Sequence, residues 1–560
     1  MTRHFPHALT PIALASFLAL TACGSSGDTP VDSTAALQSK VQNIVVIYAE
    51  NRSFDGLFGN FPGANGLSTV LDASGKPTSA YVAQKDRDGT TILATLPQTW
   101  GGVTAAGITP VVTQAQSAGL ANQPFQIETA FKASAGATLT VDTVTRDLYH
   151  RFFENQMEIN GGKNDMFAAW ADAGGLTMGN FDYSTSALYK LAQQYVLADN
   201  FFEGAFGGSF LNHQYLICAC APEYPNADTA AAKPTIAVLS TDATGNYLPR
   251  LATATSSPVS ALDGPPVYVK SGNIAPANYF GDGKFYAVNT MQPAYQPSGN
   301  APADVSGNDQ LFANTVAATT LPPQTQKTIG DLLTAKSVDW KWYGGAWSAA
   351  LSDGTQVPTT KRTVIYAGNS VGVATTANVD FQPHHQPFNY YAAFDPVTHA
   401  TDRAAHLKDY NDLVADAAAG KLPPVAFYKP EGVYNQHPGY TNLTYGDSRI
   451  TDLVAKLQAS PQWANMVVVI TYDEFGGTWD HVAPPKGDLI GPGTRIPAII
   501  ISPLAKKGTV DHTPYDTASI LRLITRRFGL DTLPGLASRD AALKAAGGQP
   551  MGDLTNALNL

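Results

Sequence analysis

The sequence is poor in cysteine, in charged residues and in basic stretches. Three of its 560 residues are cysteine, too few to hold a fold of this size together by disulfides. Charged residues make up 14% of the chain and the net charge is −10, without a basic stripe, which argues against a nucleic-acid partner. No apolar run beyond the N-terminus suits a transmembrane helix. With 44% hydrophobic residues, one large domain with long insertions is expected.

Two of the cysteines, Cys218 and Cys220, are separated by one residue. In an oxidising compartment such a pair could close a small strained loop. A metal role is less favoured, because no further cysteine or cluster of histidines completes a soft site.

The N-terminus has the pattern of an export signal. Residues 8–20 form an apolar run that is too short to span a membrane as a mature helix, and the run ends in Leu-Thr-Ala-Cys. This ending resembles a bacterial lipoprotein cleavage box, so residues 1–23 are predicted to be a lipoprotein-type signal peptide with a lipidated Cys23. The alternative is an ordinary secretory signal. Residues 24–40 are predicted to be a flexible tether. The mature protein is expected to be periplasmic, anchored to the outer membrane or secreted.

Two apolar stretches, one near each end of the chain, lead into polar side chains. Residues 43–49 (NIVVIYA) and 466–472 (MVVVITY) are typical of strands buried on both faces of a parallel sheet. They are followed by four oxygen-bearing side chains: Glu50, Asn51, Asp473 and Glu474. Open α/β folds bind ligands at the carboxyl edge of the sheet, so the four should converge there. Oxygen donors without a thiolate suit a hard divalent cation such as Mg²⁺, Ca²⁺ or Mn²⁺.

The intervening sequence predicts a single α/β domain over residues 41–560. Loop-rich insertions are expected at about 65–139 and 220–322, the second as a lid or a lobe that shapes the substrate site. The predicted helices are 147–158, 187–195, 328–335, 404–419, 448–457 and 517–528, and further strands are predicted at 338–343, 424–430 and 495–502. The tail from Leu533 is expected to be loop and short helix.

Candidate catalytic residues lie in glycine- and proline-rich segments. Two glycines precede Ser209, where they would let the backbone approach a ligand and expose the hydroxyl, although Gly-Gly-Ser is also common in ordinary loops. His150 is predicted on a helix face with Glu154, where a structural role is the commoner one. One of His384 and His385, which lie between prolines, is expected to point into a cleft.

Four motifs together resemble the bacterial phosphoesterase family of metal-dependent acid phosphatases and phosphatidylcholine-hydrolysing phospholipases C. They are IYAENRSFD at 47–55, GGSFLNH at 207–213, PHHQP at 383–387 and TYDEFGGTWDH at 471–481. The resemblance covers roughly residues 41–527. It implies an alkaline-phosphatase-like α/β fold, with a central, mostly parallel sheet flanked by helices.

The resemblance also implies roles for individual residues. One divalent metal ion (Mg, Ca, Mn or Zn) would be held by Glu50, Asn51, Asp473 and Glu474. Ser209 would be the nucleophile that forms a phosphoserine intermediate. His150, His385 and His437 would surround the phosphoryl group, and their protonation in mild acid would give an acid pH optimum. Asp480, His481 and His213 are expected either to brace loops or to support the metal ligands.

Two departures from the phospholipase branch favour the acid phosphatase branch. Ser209 stands where that branch usually has threonine, and the chain stops soon after its last core helix. The expected protein is an exported acid phosphatase that hydrolyses phosphate monoesters. The alternatives are a phospholipase C-type phosphodiesterase and, less favoured because no ligand position is missing, a non-catalytic surface binding protein. Substrates would be small phosphate esters or phospholipid head groups, and the membrane would be contacted only through the N-terminal anchor.

Overall fold

The computed structural model describes residues 33–132, 136–289, 311–313, 320–357, 360, 362–365 and 381–560. The predicted signal peptide at residues 1–23, residues 24–32 of the predicted tether and part of the second insertion lie outside this set. Export and lipidation of Cys23 therefore stay predictions. Across the described ranges, every helix is too short or too polar to cross a membrane.

The strands of the described residues include eight that form one central sheet. In chain order the strands are β1 (Asn43–Ala49), β2 (Phe125–Gln126), β3 (Gly179–Asn180), β4 (Val196–Ala198), β5 (Phe201–Phe202), β6 (Leu239–Thr241), β7 (Tyr247–Leu251), β8 (Ile274–Ala275), β9 (Tyr286–Ala287), β10 (Trp340–Gly344), β11 (Leu407–Asp409), β12 (Val425–Lys429), β13 (Met466–Tyr472), β14 (Ala498–Ile501), β15 (Thr509–Asp511) and β16 (Tyr515–Asp516). The central sheet has the order β11-β10-β12-β1-β13-β14-β4-β15.

The central sheet is mostly parallel. Strand β14 runs antiparallel to both of its neighbours, β13 and β4, and the other pairs are parallel. Every residue of β1 and β13 is buried, and the pair stays in register from Asn43 opposite Met466 to Ala49 opposite Tyr472. Each buried Val or Ile side chain contributes about 1.5–3 kcal/mol. The two strands therefore end side by side on a rigid platform.

The helices of the described residues include several that contact the central sheet. In chain order the helices are α1 (Ser33–Lys40), α2 (Phe54–Phe58), α3 (Ile127–Ala130), α4 (Phe152–Ile159), α5 (Phe167–Trp170), α6 (Ala187–Gln194), α7 (Ser209–Cys218), α8 (Ile329–Ala335), α9 (Trp347–Gly354), α10 (Ala400–His406), α11 (Tyr410–Ala418), α12 (Leu443–Gln458), α13 (Thr517–Phe528) and α14 (Pro534–Ala545). One group contains α1, α7 and α13, and another contains α6, α11 and α12. The predicted α/β class with a central, mostly parallel sheet flanked by helices is confirmed.

Two helix predictions were wrong. The predicted helix 404–419 is interrupted by β11, which pairs with β10, and the Asp409 side chain then caps α11 through a capping box with Asp412. The predicted helix 147–158 begins only at Phe152, because the preceding Arg151 has extended backbone. His150 is consequently on a loop, not on a helix face.

The two ends of the described chain are more ordered than predicted. Residues 33–40 form helix α1, although the sequence predicted a flexible tether there, because Leu37 is fully buried and the Arg526 side chain donates hydrogen bonds to Ser33 and Thr34. Helix α14 is longer than expected for the tail. Its buried Arg539 is paired with Asp516 at 2.9 Å.

The described parts of the two predicted insertions consist mostly of loops. The first contains short helical turns and the two-residue strand β2, and the described part of the second contains only the short strands β6 to β9 and one 3₁₀ turn, Lys233–Thr235. At the start of this second insertion Cys218 and Cys220 form a disulfide.

Candidate active site

The ends of β1 and β13 carry the four predicted metal ligands. Asn51 adopts a left-handed backbone conformation, with φ at +59°, which asparagine tolerates better than most residues. Gly476 lies so close that a Cβ there would be 2.3 Å from the Asn51 carbonyl oxygen. The Gly-Gly turn after Asp473 and Glu474 therefore lets the two strand ends meet.

Three of these ligands are carboxylates with no solvent exposure: Glu50, Asp473 and Glu474. Asp473 Oδ1 accepts hydrogen bonds from the backbone N–H groups of Asn51, at 3.0 Å, and Glu474, at 2.8 Å. Its second oxygen, Oδ2, is buried without a hydrogen-bond partner. Burial, with the repulsion of the neighbouring carboxylates, raises the pKa of Asp473 and of Glu474 well above the usual range.

The Asn51 amide provides the test of whether a metal ion fits. Its oxygen lies 2.9 Å from Glu50 Oε2 and 3.2 Å from Asp473 Oδ1, so three oxygens face one another. Rotating the amide would relieve this, but its nitrogen lies 2.9 Å from the Nε2 of His437, where a neutral imidazole accepts its hydrogen. A cation among the oxygens satisfies both sides of the amide. The residues present therefore fit a hard divalent ion.

Ser209 is the first residue of α7, although the sequence predicted a loop there. Gly208, with φ at +73°, turns the chain into the helix, and its N–H donates to the carbonyl oxygen of His150 at 2.7 Å. The Ser209 hydroxyl donates to Glu474 Oε1 at 3.1 Å. Because the helix N-terminus is the positive end of its dipole, negative charge on the Ser209 oxygen is favoured there.

Two of the predicted histidines, His150 and His437, lie on different loops and both face the Asn51 amide. His150 and His437 each use Nδ1 to bond a backbone carbonyl, that of Leu148 at 2.6 Å and that of Pro438, respectively. With Nδ1 protonated, each Nε2 carries a lone pair. These Nε2 atoms lie 3.4 Å and 2.9 Å from the Asn51 amide nitrogen, so both histidines line the cluster.

His385, the third predicted histidine, contacts the other side of the cluster. Its Nε2 lies 2.7 Å from Glu50 Oε1, and its ring stacks on that of His213 at 4.9 Å. His213 in turn uses Nδ1 to bond the carbonyl oxygen of Ser209 at 2.7 Å. His213 thus links the Ser209 turn to the histidine loop, which agrees with the bracing role considered for it.

The predicted protonation of these histidines in mild acid needs correction. Burial lowers the pKa of His150 to about 4, and it lowers the pKa values of His385 and His437 well below their usual range. Burial thus opposes protonation of the three rings in the free protein. The acid pH optimum stays a prediction.

Sequence reasoning missed one charged residue of the site. Lys429, the last residue of β12, is buried beside β1, and its ammonium contacts Glu50 Oε1. The signal was present: a lysine closes an otherwise apolar strand that was itself predicted, at the edge of the sheet where the carboxylates were placed. A buried lysine is rare unless it is paired.

The structure brings all eight predicted site residues to one edge of the sheet: Glu50, Asn51, His150, Ser209, His385, His437, Asp473 and Glu474. Three groups of acidic and histidine side chains within the described residues are close enough to share a metal ion. They are Glu50 with His213 and His385, Asp147 with His150 and His437, and Asp55 with Asp480 and His481.

The third of these groups forms an ion-pair network with Arg495. Asp55 accepts from His481 Nδ1 at 2.6 Å and contacts the Arg495 guanidinium at 3.1 Å, and Asp480 contacts the same guanidinium at 2.9 Å. Asp480 also accepts from the Asp55 N–H at 3.0 Å. Because a fixed cation already fills the middle of the group, its role is to hold the turn after β13 against helix α2.

Replacing His481 with asparagine should make thermal stability less dependent on pH. Burial alone would lower the pKa of His481, but Asp55 outweighs it and raises the pKa. Its stabilising charge is present below the unfolded pKa of about 6.5 and is lost as pH rises through the higher folded value. The wild-type advantage in thermal midpoint over His481→Asn should be largest near pH 6 and shrink by about 1–2 °C by pH 8.5. A constant difference would contradict a charged His481.

A model of the Phosphoesterase family matches residues 41–531. The chain belongs to the Phosphoesterase family. The predicted resemblance is thereby confirmed, and so, at the level of the family, is the prediction of a hydrolase that acts on phosphoric ester bonds.

Similar proteins include several phospholipases C. Phospholipase C B of Mycobacterium tuberculosis is 30% identical over 173 residues, which are 26% of this chain and 32% of that protein. Non-hemolytic phospholipase C of Pseudomonas aeruginosa is 28% identical over 179 residues, 26% and 25% of the two chains. The match thus spans about a third or less of these relatives. A solved phosphonate monoester hydrolase from Silicibacter pomeroyi is 13% identical with a TM-score of 0.22, over 42% of this chain and 62% of that one, a similarity too low to carry an argument.

Proposed function

We propose that this member of the Phosphoesterase family hydrolyses phosphate monoesters through a phosphoserine intermediate on Ser209. The observation that carries the proposal is the hydroxyl of Ser209, held 3.1 Å from Glu474 Oε1 at the start of α7 and beside a cluster of buried oxygen ligands. A nucleophile within hydrogen-bond reach of a base is the arrangement that covalent phosphoryl transfer requires.

Glu50, Asn51, Asp473 and Glu474 would hold one divalent metal ion, which is supported by the facing oxygens of the first three and by Asp473 Oδ2, which is buried without a hydrogen-bond partner. When bound, such an ion supplies Lewis-acid stabilisation of the negative charge that develops on the phosphoryl oxygens. The same hard-donor set accepts Mg²⁺, Ca²⁺ or Mn²⁺.

The residues of the chain supply the nucleophile and the proton transfers. The Ser209 oxygen bonds to phosphorus while its proton passes to Glu474 Oε1, and the bond from phosphorus to the alcohol oxygen breaks. Glu474 Oε1, 3.1 Å from the Ser209 oxygen, is the carboxylate oxygen within reach of this proton. Water then cleaves the phosphoserine and releases inorganic phosphate.

Binding of the substrate would change the protonation state of His150 and His437. A phosphate group beside their Nε2 atoms raises their pKa values, because a nearby opposite charge favours the protonated form. Once protonated, the two rings donate to the phosphoryl oxygens and to the departing alcohol. Proton uptake would thus accompany substrate binding, which restores a cause for an acid optimum.

A phospholipase C-type diesterase activity is the second candidate. The names of the relatives favour it, since those reported above are phospholipases C. The serine at position 209 favours the monoester reaction, because the phospholipase branch, in the resemblance described above, usually has threonine there.

Substrate comparison decides between the two candidates. We expect kcat/KM for p-nitrophenyl phosphate to exceed that for bis-p-nitrophenyl phosphate and for phosphatidylcholine by at least about tenfold, or about 1.4 kcal/mol in transition-state stabilisation. We also expect a maximum below pH 7 and loss of activity on chelation that Mn²⁺ or Mg²⁺ restores. A diester or phosphatidylcholine that is turned over faster would instead establish the diesterase.

A further inference from the structure

We propose that Lys429 is the second cation of the site, a fixed ammonium that lets one divalent ion suffice for binding phosphate dianions. The inference rests on the proposed function. It concerns the charge of the site, which the predicted ligand set leaves unbalanced.

The charges of the site balance only when Lys429 is included. Glu50, Asp473 and Glu474 carry three negative charges when they hold a metal, and a divalent ion supplies two positive charges. Lys429 supplies the third. Without Lys429 the metal-loaded cluster would keep one net negative charge facing the incoming phosphate.

The remaining buried charges nearby oppose each other. Glu203 accepts backbone hydrogen bonds from Gly207 at 3.1 Å, Thr494 at 2.9 Å and Phe475 at 3.0 Å. Arg52 donates to the carbonyl oxygen of Gln436 at 2.7 Å. Glu203 and Arg52 carry opposite charges, and the acidic Asp147, whose Oδ1 lies 3.6 Å from His150 Nδ1, has a half-exposed side chain, so none of them replaces Lys429.

Lys429 also fixes how Glu50 faces the cluster. Its ammonium and His385 Nε2 both contact Glu50 Oε1, so that Oε2 is the oxygen turned toward the Asn51 amide oxygen at 2.9 Å. The stem of Lys429 is fully enclosed, and its ammonium lies 5.7 Å from the centre of the Tyr48 ring. A lysine held this tightly acts as a permanent part of the site.

Loss of the Lys429 charge should therefore weaken the binding of phosphate more than the binding of the metal. In Lys429→Gln, Glu50 loses its partner and stays a free carboxylate, so Mn²⁺ should bind at least as tightly as to wild type. Inorganic phosphate at about pH 7.5, which is mostly a dianion, should bind the Mn²⁺-loaded variant at least about tenfold more weakly, because one positive charge of the site is lost. Lys429→Arg should stay within about threefold of wild type.

The experiment uses the full chain, stripped of metal and titrated first with Mn²⁺ and then with inorganic phosphate by calorimetry. Lys341→Gln is the matched control, since Lys341 is also a strand lysine paired with a carboxylate, Asp416 at 2.7 Å, but lies outside the site. This control should bind both ions as wild type does. A thermal midpoint and a circular dichroism spectrum check that each variant is folded.

Two outcomes would overturn the inference. One is undiminished phosphate affinity in Lys429→Gln. The other is loss of Mn²⁺ binding together with phosphate binding in that variant, which a merely structural role predicts. If that variant does not fold, the Mn²⁺ stoichiometry of wild type remains: one ion per chain supports the inference and two ions contradict it. Failure of the proposed function would look different, because wild type would then turn over bis-p-nitrophenyl phosphate or phosphatidylcholine faster than p-nitrophenyl phosphate, or would itself bind neither Mn²⁺ nor phosphate.

Discussion

Replacing Ser209 with alanine should lower kcat/KM for p-nitrophenyl phosphate by at least about 10³-fold. The substitution removes the oxygen that forms the bond to phosphorus, while α7 keeps its start because its turn is set by Gly208. Binding of Mn²⁺ and of inorganic phosphate should change little, since the oxygen ligands remain. Steady-state kinetics and calorimetry on the same preparation separate these effects.

The matched control is Ser271→Ala. Ser271 also donates its hydroxyl to a buried glutamate, Glu154, but outside the cluster, so its loss should leave kcat/KM within about threefold. A Ser209→Ala variant that keeps more than about a tenth of the wild-type rate would contradict the role of this residue as nucleophile.

Replacing Asp473 with asparagine should abolish metal-dependent hydrolysis, with a loss of at least about 10³-fold in kcat/KM and of at least about 100-fold in Mn²⁺ affinity. Asparagine keeps the shape of the side chain, and its oxygen can still accept from the backbone N–H groups of Asn51 and Glu474. It removes the charge that faces the metal and replaces the unpartnered Oδ2 with an amide nitrogen. Calorimetric titration of the stripped protein and kinetics at saturating Mn²⁺ measure the two losses.

Glu431→Gln tests whether any buried acid near this edge of the sheet would have the same effect. Glu431 follows strand β12 and is paired with Arg449 at 3.0 Å, away from the cluster. Its replacement should reduce stability but leave the Mn²⁺ affinity of the folded protein unchanged. Equal losses of metal in both variants would indicate that Asp473 acts through the fold and is not a ligand.

The position of β1 and β13 in the middle of the sheet was predictable, because their sequences are compatible with only one arrangement. Two continuous β-branched runs, each followed by acidic or amide side chains, can be buried on both faces only in the middle of a parallel sheet, and the observed register sets Ala49 opposite Tyr472. Glu50 and Asp473 then meet at the same edge. Helices with clear signals, such as Thr517–Phe528, were also placed correctly.

Features that depend on tertiary contacts were not predictable in this way. Helical periodicity at 404–419 gave no sign that β10 would recruit residues 407–409 as a strand. The segment before Phe152 has helical composition, but its backbone is held extended where the His150 carbonyl accepts the Gly208 N–H. Local propensity is overridden in both places by partners far away in the sequence.

The histidines and Lys429 show that the properties of the site residues also depend on tertiary contacts that the sequence does not reveal. The types of the histidines suggested phosphoryl contacts, but only the structure shows that the rings are buried, which lowers their pKa values, and that the Lys429 ammonium lies against Glu50. A residue pattern indicates which groups are available. The protonation state of each group depends on its neighbours and on its access to water.

The most direct test of this account is to trap the covalent intermediate. The Mn²⁺-loaded protein is mixed with p-nitrophenyl phosphate, quenched in acid within the first turnover, digested and sequenced by mass spectrometry. The account predicts one added phosphoryl group on the peptide that contains Ser209, absent from Ser209→Ala and from protein treated with chelator. A phosphoryl group found on a peptide without Ser209, or none at all while turnover proceeds, would contradict it.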